Sequence, residues 1–245
     1  MCDSKAWFEE WFDTPYYHIL YKDRDFREAG LFIDNLVDEL KMQAGQKVLD
    51  LACGKGRHSI YLNQKGMDVV GADLSDKNIA LAKEFENSSL HFKVHDMRKS
   101  IVENRYDFVL NLFTSFGYFE SDEENLQTLS SVFGGLKPGG EFVLDFLNTE
   151  KVLNSGTEET IKNIDGIEFR IKKYLSKGFL HKSIKFTIGG EEKAYEEKVM
   201  AISEMKFQEY FSKLGFEIVA VYGDYNLGHF NSEKSERLIY RLLKP

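Results

Sequence analysis

Apolar residues recur at two periods along this chain, and the succession of those periods predicts its fold. Residues 5–12 and 26–42 carry them at helical spacing, with Phe32, Ile33, Leu36, Val37 and Leu40 on one stripe. Gly45 breaks the second segment, and Lys47 to Ala52 (KVLDLA) reads as a buried strand. Further strands are predicted at 68–72, 90–94, 106–112 and 141–147, with helices at 59–65, 77–86 and 123–134 between them. Lys137-Pro138-Gly139-Gly140 reads as a turn before the fifth strand. Strands alternating with helices at this spacing predict a parallel, doubly wound sheet that binds ligands at the carboxyl ends of its strands.

Residues 151–200 break that rhythm. Segments 167–174, 179–188 and 193–202 are β-prone, and Ser176-Lys177-Gly178 and Gly189-Gly190 separate them, which predicts antiparallel hairpins. The first pattern then returns as a helix at 204–214 and strands at 216–222 and 235–243. A loop without a helix joins those two strands, so they should pair antiparallel. The expected organisation is an N-terminal helical lid segment (1–44), a core (45–150 and 201–245) and an inserted antiparallel β flap (151–200).

Composition narrows the function. Apolar residues make up 42% and charged residues 29%, as in a soluble globular protein. A net charge of -8 disfavours nucleic acid, which calls for a basic face. Cys2 and Cys53 form neither a disulfide framework nor a zinc spacing, and His and acidic residues show no metal-ligand spacing. No run of about 18 apolar residues occurs, and Met1 to Phe12 lacks the basic start and apolar core of a secretion signal. The reading is a cytoplasmic protein without metal or membrane partner, a monomer or homodimer. Residues 160–190 hold seven Lys and Arg against two acids, so the flap reads either as a basic cover attracting an anionic acceptor or as the solvated face of a sheet.

The chemistry should sit at the strand ends. Asp50-Leu51-Ala52-Cys53-Gly54-Lys55-Gly56 follows the first strand and opens a helix, and Gly54 and Gly56 let a ligand approach the backbone. Asp73 ends the second strand, 23 residues after Asp50, where an acid can accept both hydroxyls of a ribose. Asp96 follows the third strand after another 23 residues and can reach an adenine amino group. A dinucleotide site wants a third glycine where Ser59 stands, and Asp50 would repel a diphosphate. Asp50 suits a cationic ligand, and S-adenosylmethionine offers an ammonium, a sulfonium and a ribose without phosphate.

VLDLACGKG, with Asp73 and Asp96, resembles the class I S-adenosylmethionine-dependent methyltransferases over about residues 45–147 and 203–243. CGKGRHS, HDMR, NLFTSFGYF, LDFLN and GDY are similar to a subgroup of small bacterial methyltransferases. The resemblance implies a Rossmann-like α/β fold: a seven-stranded, mostly parallel sheet of order 3-2-1-4-5-7-6, helices on both faces and the β insertion. It implies Asp50 near the methionine amino group, and Ala52, Cys53, Gly54 and Gly56 in the loop beneath the methionine moiety. Asp73 would bind the ribose, Leu74, Asp96 and Met97 would border the adenine, and Asn111, Leu112 and Phe113 would line the floor. The chain lacks the (Asn/Asp)-Pro-Pro-(Tyr/Phe) of DNA and protein amino-methyltransferases, reading Asn111-Leu112-Phe113-Thr114 instead.

The implied reaction is an in-line displacement that turns S-adenosylmethionine into S-adenosylhomocysteine and methylates a small-molecule acceptor. Such an enzyme chiefly aligns the acceptor and excludes water. His58, beside Arg57 at the start of a helix, is the general-base candidate, and Tyr118 is a candidate to face the acceptor. Tyr17, Tyr21, Arg24, Arg57 and Tyr225 are candidate substrate or lid residues. Two alternatives stay open: a nucleotide-linked oxidoreductase, and a non-catalytic module that binds S-adenosylmethionine.

Overall fold

The computed structural model describes residues 11–12, 14–22 and 26–245, without the side chains of 26–29. Arg24 and residues 5–10 of the first predicted helix lie outside the described residues. Among the described residues, the helices α1 (Pro15–Leu20) and α2 (Phe26–Glu39) precede the core. The core then alternates as β1 (Lys47–Leu51), α3 (Arg57–Gln64), β2 (Asp68–Asp73), α4 (Asp76–Ala82), β3 (Leu90–Val94), β4 (Tyr106–Asn111), α5 (Asp122–Gly135) and β5 (Leu136–Leu147). After α6 (Thr149–Ser155) come β6 (Glu158–Ile164), β7 (Ile167–Ser176), β8 (Phe179–Ile188) and β9 (Glu191–Met200). The chain closes with α7 (Glu204–Leu214), β10 (Glu217–Tyr222) and β11 (Arg237–Leu243).

The main sheet runs β10-β11-β5-β4-β1-β2-β3. Its first five strands in sequence are parallel, and β11 pairs antiparallel with both β5 and β10. With β10 and β11 counted as sixth and seventh core strands, this is the expected 3-2-1-4-5-7-6 order. Strand alternation divides the core between the two faces. Val48 packs with Phe32, Ile33 and Leu36 of α2 and Leu62 of α3. Leu49 and Leu51 pack with Leu129 and Val132 of α5 and Phe207 and Phe211 of α7. Each such fully buried side chain contributes about 1.5–3 kcal/mol over an exposed one. Asp50 lies on the α2–α3 face with Val48, and that is why it meets Ser59.

β5 begins earlier than the sequence predicts. The segment 137–140 is an irregular stretch of β5, because Tyr106 pairs with Leu136 while Phe108 already pairs with Glu141. The neighbouring chain end holds this excursion: Gly139 N–H donates to Lys244 O at 2.7 Å, and Lys244 N–H donates to Gly140 O at 2.9 Å.

β6 to β9 form a separate four-stranded antiparallel sheet. Its three two-residue turns, Asp165-Gly166, Lys177-Gly178 and Gly189-Gly190, have positive φ at both positions. That is the turn geometry whose twist matches a hairpin. The sequence reading missed β6 and α6, having taken neither Asp165-Gly166 as a hairpin turn nor Asn148 as a cap. Asn148 accepts the Lys151 N–H at the start of α6. The inner face of the second sheet buries Phe169, Ile171, Ile184 and Phe186 with Trp11 and Leu20 of the N-terminal segment. Of the two readings of the flap, the basic cover loses its charge excess over the bounds of the second sheet. Residues 158–200 carry nine Lys and Arg against eight Asp and Glu. Lys172 pairs with Glu159 at 2.8 Å and Lys173 with Glu158 at 3.1 Å. No helix among the described residues is long and apolar enough to cross a membrane.

Candidate active site

A cavity of about 1190 Å³ opens over the carboxyl ends of β1 to β4, beneath the second sheet and α1. Its floor begins with the β1–α3 loop. Ala52 and Cys53 donate their N–H groups to Ala72 O at 2.7 and 3.0 Å, so the loop is tied to the end of β2. Gly54 N–H donates to Asp73 Oδ2 at 2.8 Å, and Ser75 N–H to Asp73 Oδ1 at 2.9 Å. Asp73 therefore orients the glycine loop as well as facing the cavity.

The two glycines do different work. Gly54 has φ +56, lines the cavity, and has open space where a Cβ would stand. Gly56 does not line the cavity, contrary to expectation. At φ +82, a Cβ on it would lie 2.5 Å from the Phe92 ring. Close packing of helix on sheet requires this glycine.

Asp50 is 1% exposed and accepts the Ser59 hydroxyl at 2.6 Å. Burial, reinforced by the charge of Asp73, pushes its carboxyl up to about 6 against the pull of Ser59 and Arg57. Ser59 occupies the place of the third motif glycine because the space comes from the next strand. Gly71 pairs with Asp50, and a Cβ there would fall 2.9 Å from Ser59 Oγ. A carboxyl at a cavity wall, raised by burial, fits a ligand ammonium. Leu74 and Val94 are large apolar residues left exposed along the same cavity, and they fit the face of a flat ring.

Asp96 and Met97 also line the cavity. Arg98 grips the Asp96 carboxylate through Nε at 3.0 Å and Nη2 at 2.7 Å and reaches Glu124 at 2.7 Å. This hold keeps Asp96 below the ordinary carboxylate range.

The end of β4 departs from the expected floor in one residue. Leu112 and Phe113 line the cavity, whereas Asn111 is buried away from it and donates Nδ2 to Leu51 O at 3.0 Å, bridging β4 to β1. Phe113 and Thr114 are both left-handed, with φ +60 and +58. Such a conformation costs of order 1–3 kcal/mol per residue and persists only where surroundings enforce it. Asp145 Oδ2 accepts the Phe113 N–H at 2.7 Å, Asp145 O accepts the Thr114 N–H at 3.0 Å, and Arg237 donates to Thr114 Oγ1 at 2.8 Å. Tyr118 lines the cavity and donates its hydroxyl to Thr114 O at 2.6 Å.

His58 is buried in the cavity wall, 5.0 Å from the Phe113 ring and nearly parallel to it, and Nε2 has no hydrogen-bond partner among the described residues. Burial, then the charge of Arg57, holds its pKa well below the ordinary value, so the imidazole is neutral. Arg57 lies 4.5 Å from the Phe113 ring centre. Tyr17 and Tyr21 line the cavity from α1 and its end, and Tyr21 donates to Glu197 Oε1 at 2.6 Å. Tyr225 does not line it. Its ring packs on Phe32 and Phe113, behind the floor. Arg237, Asp145 and Glu197 were missed. Asp145 carried a usable signal, an acid inside an apolar strand (VLDFL), as Asp50 is in VLDL. Among the described residues no cluster of His, Cys, Asp and Glu could hold a metal ion.

The sheet order, the glycine loop after β1 and the acid closing β2 are the architecture of the class I S-adenosylmethionine-dependent methyltransferases. Residues 48–140 match the family model of a methyltransferase domain. Over 210 residues the chain is 28% identical to the YqeM protein of Bacillus subtilis strain 168, covering 81% of this chain and 84% of that one. Over 226 residues it is 26% identical to the glycine/sarcosine N-methyltransferase of Aphanothece halophytica, covering 89% and 80%. A crystal structure of an S-adenosylmethionine-dependent methyltransferase from Clostridium acetobutylicum ATCC 824 has the same fold, with TM-score 0.77 at 20% identity over 93% of this chain and 95% of that one. Residues 48–140 are thus a methyltransferase domain, and the chain around them has the fold of the class I S-adenosylmethionine-dependent methyltransferases. The oxidoreductase alternative falls with these findings.

Proposed function

We propose that the chain methylates a small molecule enclosed between the main sheet, the N-terminal segment and the second sheet. The observation that carries this reading is Asp50, a carboxyl raised by burial at the wall of the cavity. S-adenosylmethionine, when bound, supplies an activated methyl group. Asp50 would hold its ammonium, Gly54 its methionine backbone and Asp73 its ribose. Leu74, Val94, Asp96 and Met97 would border its adenine.

The remaining work falls to the chain's own side chains. Leu112, Phe113 and Tyr118 position the acceptor on a floor that Asp145 and Arg237 keep rigid. Neutral His58 takes a proton at Nε2 when the acceptor must lose one. Tyr17, Tyr21 and the second sheet exclude water. The names of relatives that act on glycine and sarcosine, together with the cavity over the strand ends, support a small acceptor.

Calorimetric titration of S-adenosylhomocysteine and NAD into wild type and Asp73→Ala tests this reading. Binding of the adenosyl ligand alone, weakened at least tenfold by the substitution, is the expected result. Absence of that binding in wild type overturns it.

A further inference from the structure

Arg237 opens β11. Because β11 runs antiparallel to β5, this first residue lies at the same end of the sheet as the carboxyl ends of β4 and β5. Its Nε and Nη2 lie 2.8 and 2.7 Å from Asp145 Oδ1, and Nη2 also donates to Thr114 Oγ1 at 2.8 Å. A guanidinium has five N–H donors in a fixed plane. Those contacts use the Nε donor and the Nη2 donors. The two donors on Nη1 meet no acceptor among the described residues, and Nη1 is not sealed from solvent. The side chain is 17% exposed, and it lines the cavity. The outcome is a guanidinium held by a buried carboxylate and a hydroxyl, with Nη1 left without an acceptor among the described residues and the residue lining the cavity.

The position of this guanidinium selects its ligand. The residues assigned to the cofactor stand on β1, β2 and β3 and the loops after them, whereas β4 and β5 separate β11 from β1. Arg237 thus lies across the Phe113–Thr114 floor from Asp50 and Asp73, on the side left for the acceptor. We propose that the Nη1 edge of Arg237 anchors a carboxylate of the acceptor, which makes the substrates small carboxylic acids. This rests on the methyltransferase reading above. Asp145 already balances the guanidinium charge, so the remaining edge suits a singly charged, planar anion rather than a phosphate dianion. An anchor on this side fixes the far end of the acceptor and so directs its nucleophile across the floor.

The test is a ligand-observed NMR titration of protein saturated with S-adenosylhomocysteine, using matched probes: glycine against glycinamide, benzoate against benzamide, and inorganic phosphate. Each acid should bind at least tenfold tighter than its amide, and Arg237→Met should erase that preference in protein that still binds S-adenosylhomocysteine. Removing the arginine alone strands a buried carboxylate. The double variant Asp145→Asn, Arg237→Met therefore runs beside it, keeping an acceptor for the Phe113 N–H. Equal binding of acid and amide to wild type, or a preference that survives in both variants, overturns the proposal. Phosphate binding tighter than either carboxylate overturns the choice of carboxylate. Failure of wild type to bind S-adenosylhomocysteine overturns the methyltransferase reading instead, and the acid–amide comparison on the free protein still decides the anchor.

Discussion

Ser59 donates its hydroxyl to Asp50 across 2.6 Å at the junction of β1 and α3, and the carboxyl it serves titrates near 6. The ordinary value is 3.8, so the folded chain holds this proton through a window in which the unfolded chain has lost it. Stability contributed at this site therefore falls as pH rises from about 4 to 6, by on the order of 3 kcal/mol, and is flat above. A bound ammonium reverses the preference and expels the proton. Titration of S-adenosylhomocysteine at pH 6, in two buffers of different ionisation heat, should show release of about half a proton. The release should vanish at pH 8 and in Asp50→Asn.

The glycine loop separates stability from binding. Gly56→Ala forces a Cβ to 2.5 Å from Phe92 at φ +82 and should lower stability by about 2–4 kcal/mol, read as a fall in denaturation midpoint. Gly54→Ala meets no neighbour and should cost only about 1 kcal/mol. Its Cβ stands in the cavity wall, so S-adenosylhomocysteine affinity should drop at least tenfold in a protein that still folds.

Ser59→Gly completes the dinucleotide motif, yet it should not confer NAD binding, because Asp50 remains at the end of β1. The substitution also removes the hydroxyl that Asp50 accepts, so the proton release above should shift to higher pH. NAD binding by this variant, read by calorimetry, would show that the glycine, and not the carboxylate, sets ligand class.

Glu197 accepts hydrogen bonds from Trp11 Nε1 at 2.8 Å and from Tyr21 at 2.6 Å, joining the N-terminal segment to β9. Glu197→Ala should unlatch that segment. Amide hydrogen exchange across 14–22 should accelerate at least tenfold, with little change in the core strands. Unchanged exchange would mean that the apolar packing of Trp11 and Leu20 suffices.

Strands with continuous apolar runs were legible in the sequence, since KVLDLA and its successors bury both faces. The sheet order came from a resemblance rather than from periodicity. β6 was illegible because its side chains, from Glu158 to Asn163, are exposed and carry no apolar alternation. Asp50 and Asp73 could be placed from strand ends alone. Asn111 could not, because a one-residue difference in facing turns a floor residue into a bridge between strands. Arg237 could not be placed either, since its partner Asp145 is 92 residues away and only antiparallel pairing brings them together.

The order of synthesis gives the position of β11 a cost. It is the last strand in the sequence but lies inside the sheet, between β10 and β5. While the chain emerges from the ribosome, β1 to β5 can pair and the second sheet can form from its local hairpins. Until residue 237 is released, β5 presents an open edge, and Asp145 waits in an apolar setting for its guanidinium. Completion of the sheet and setting of the Phe113–Thr114 floor are therefore one event. During that interval the open edge of β5 is free to pair with the wrong strand.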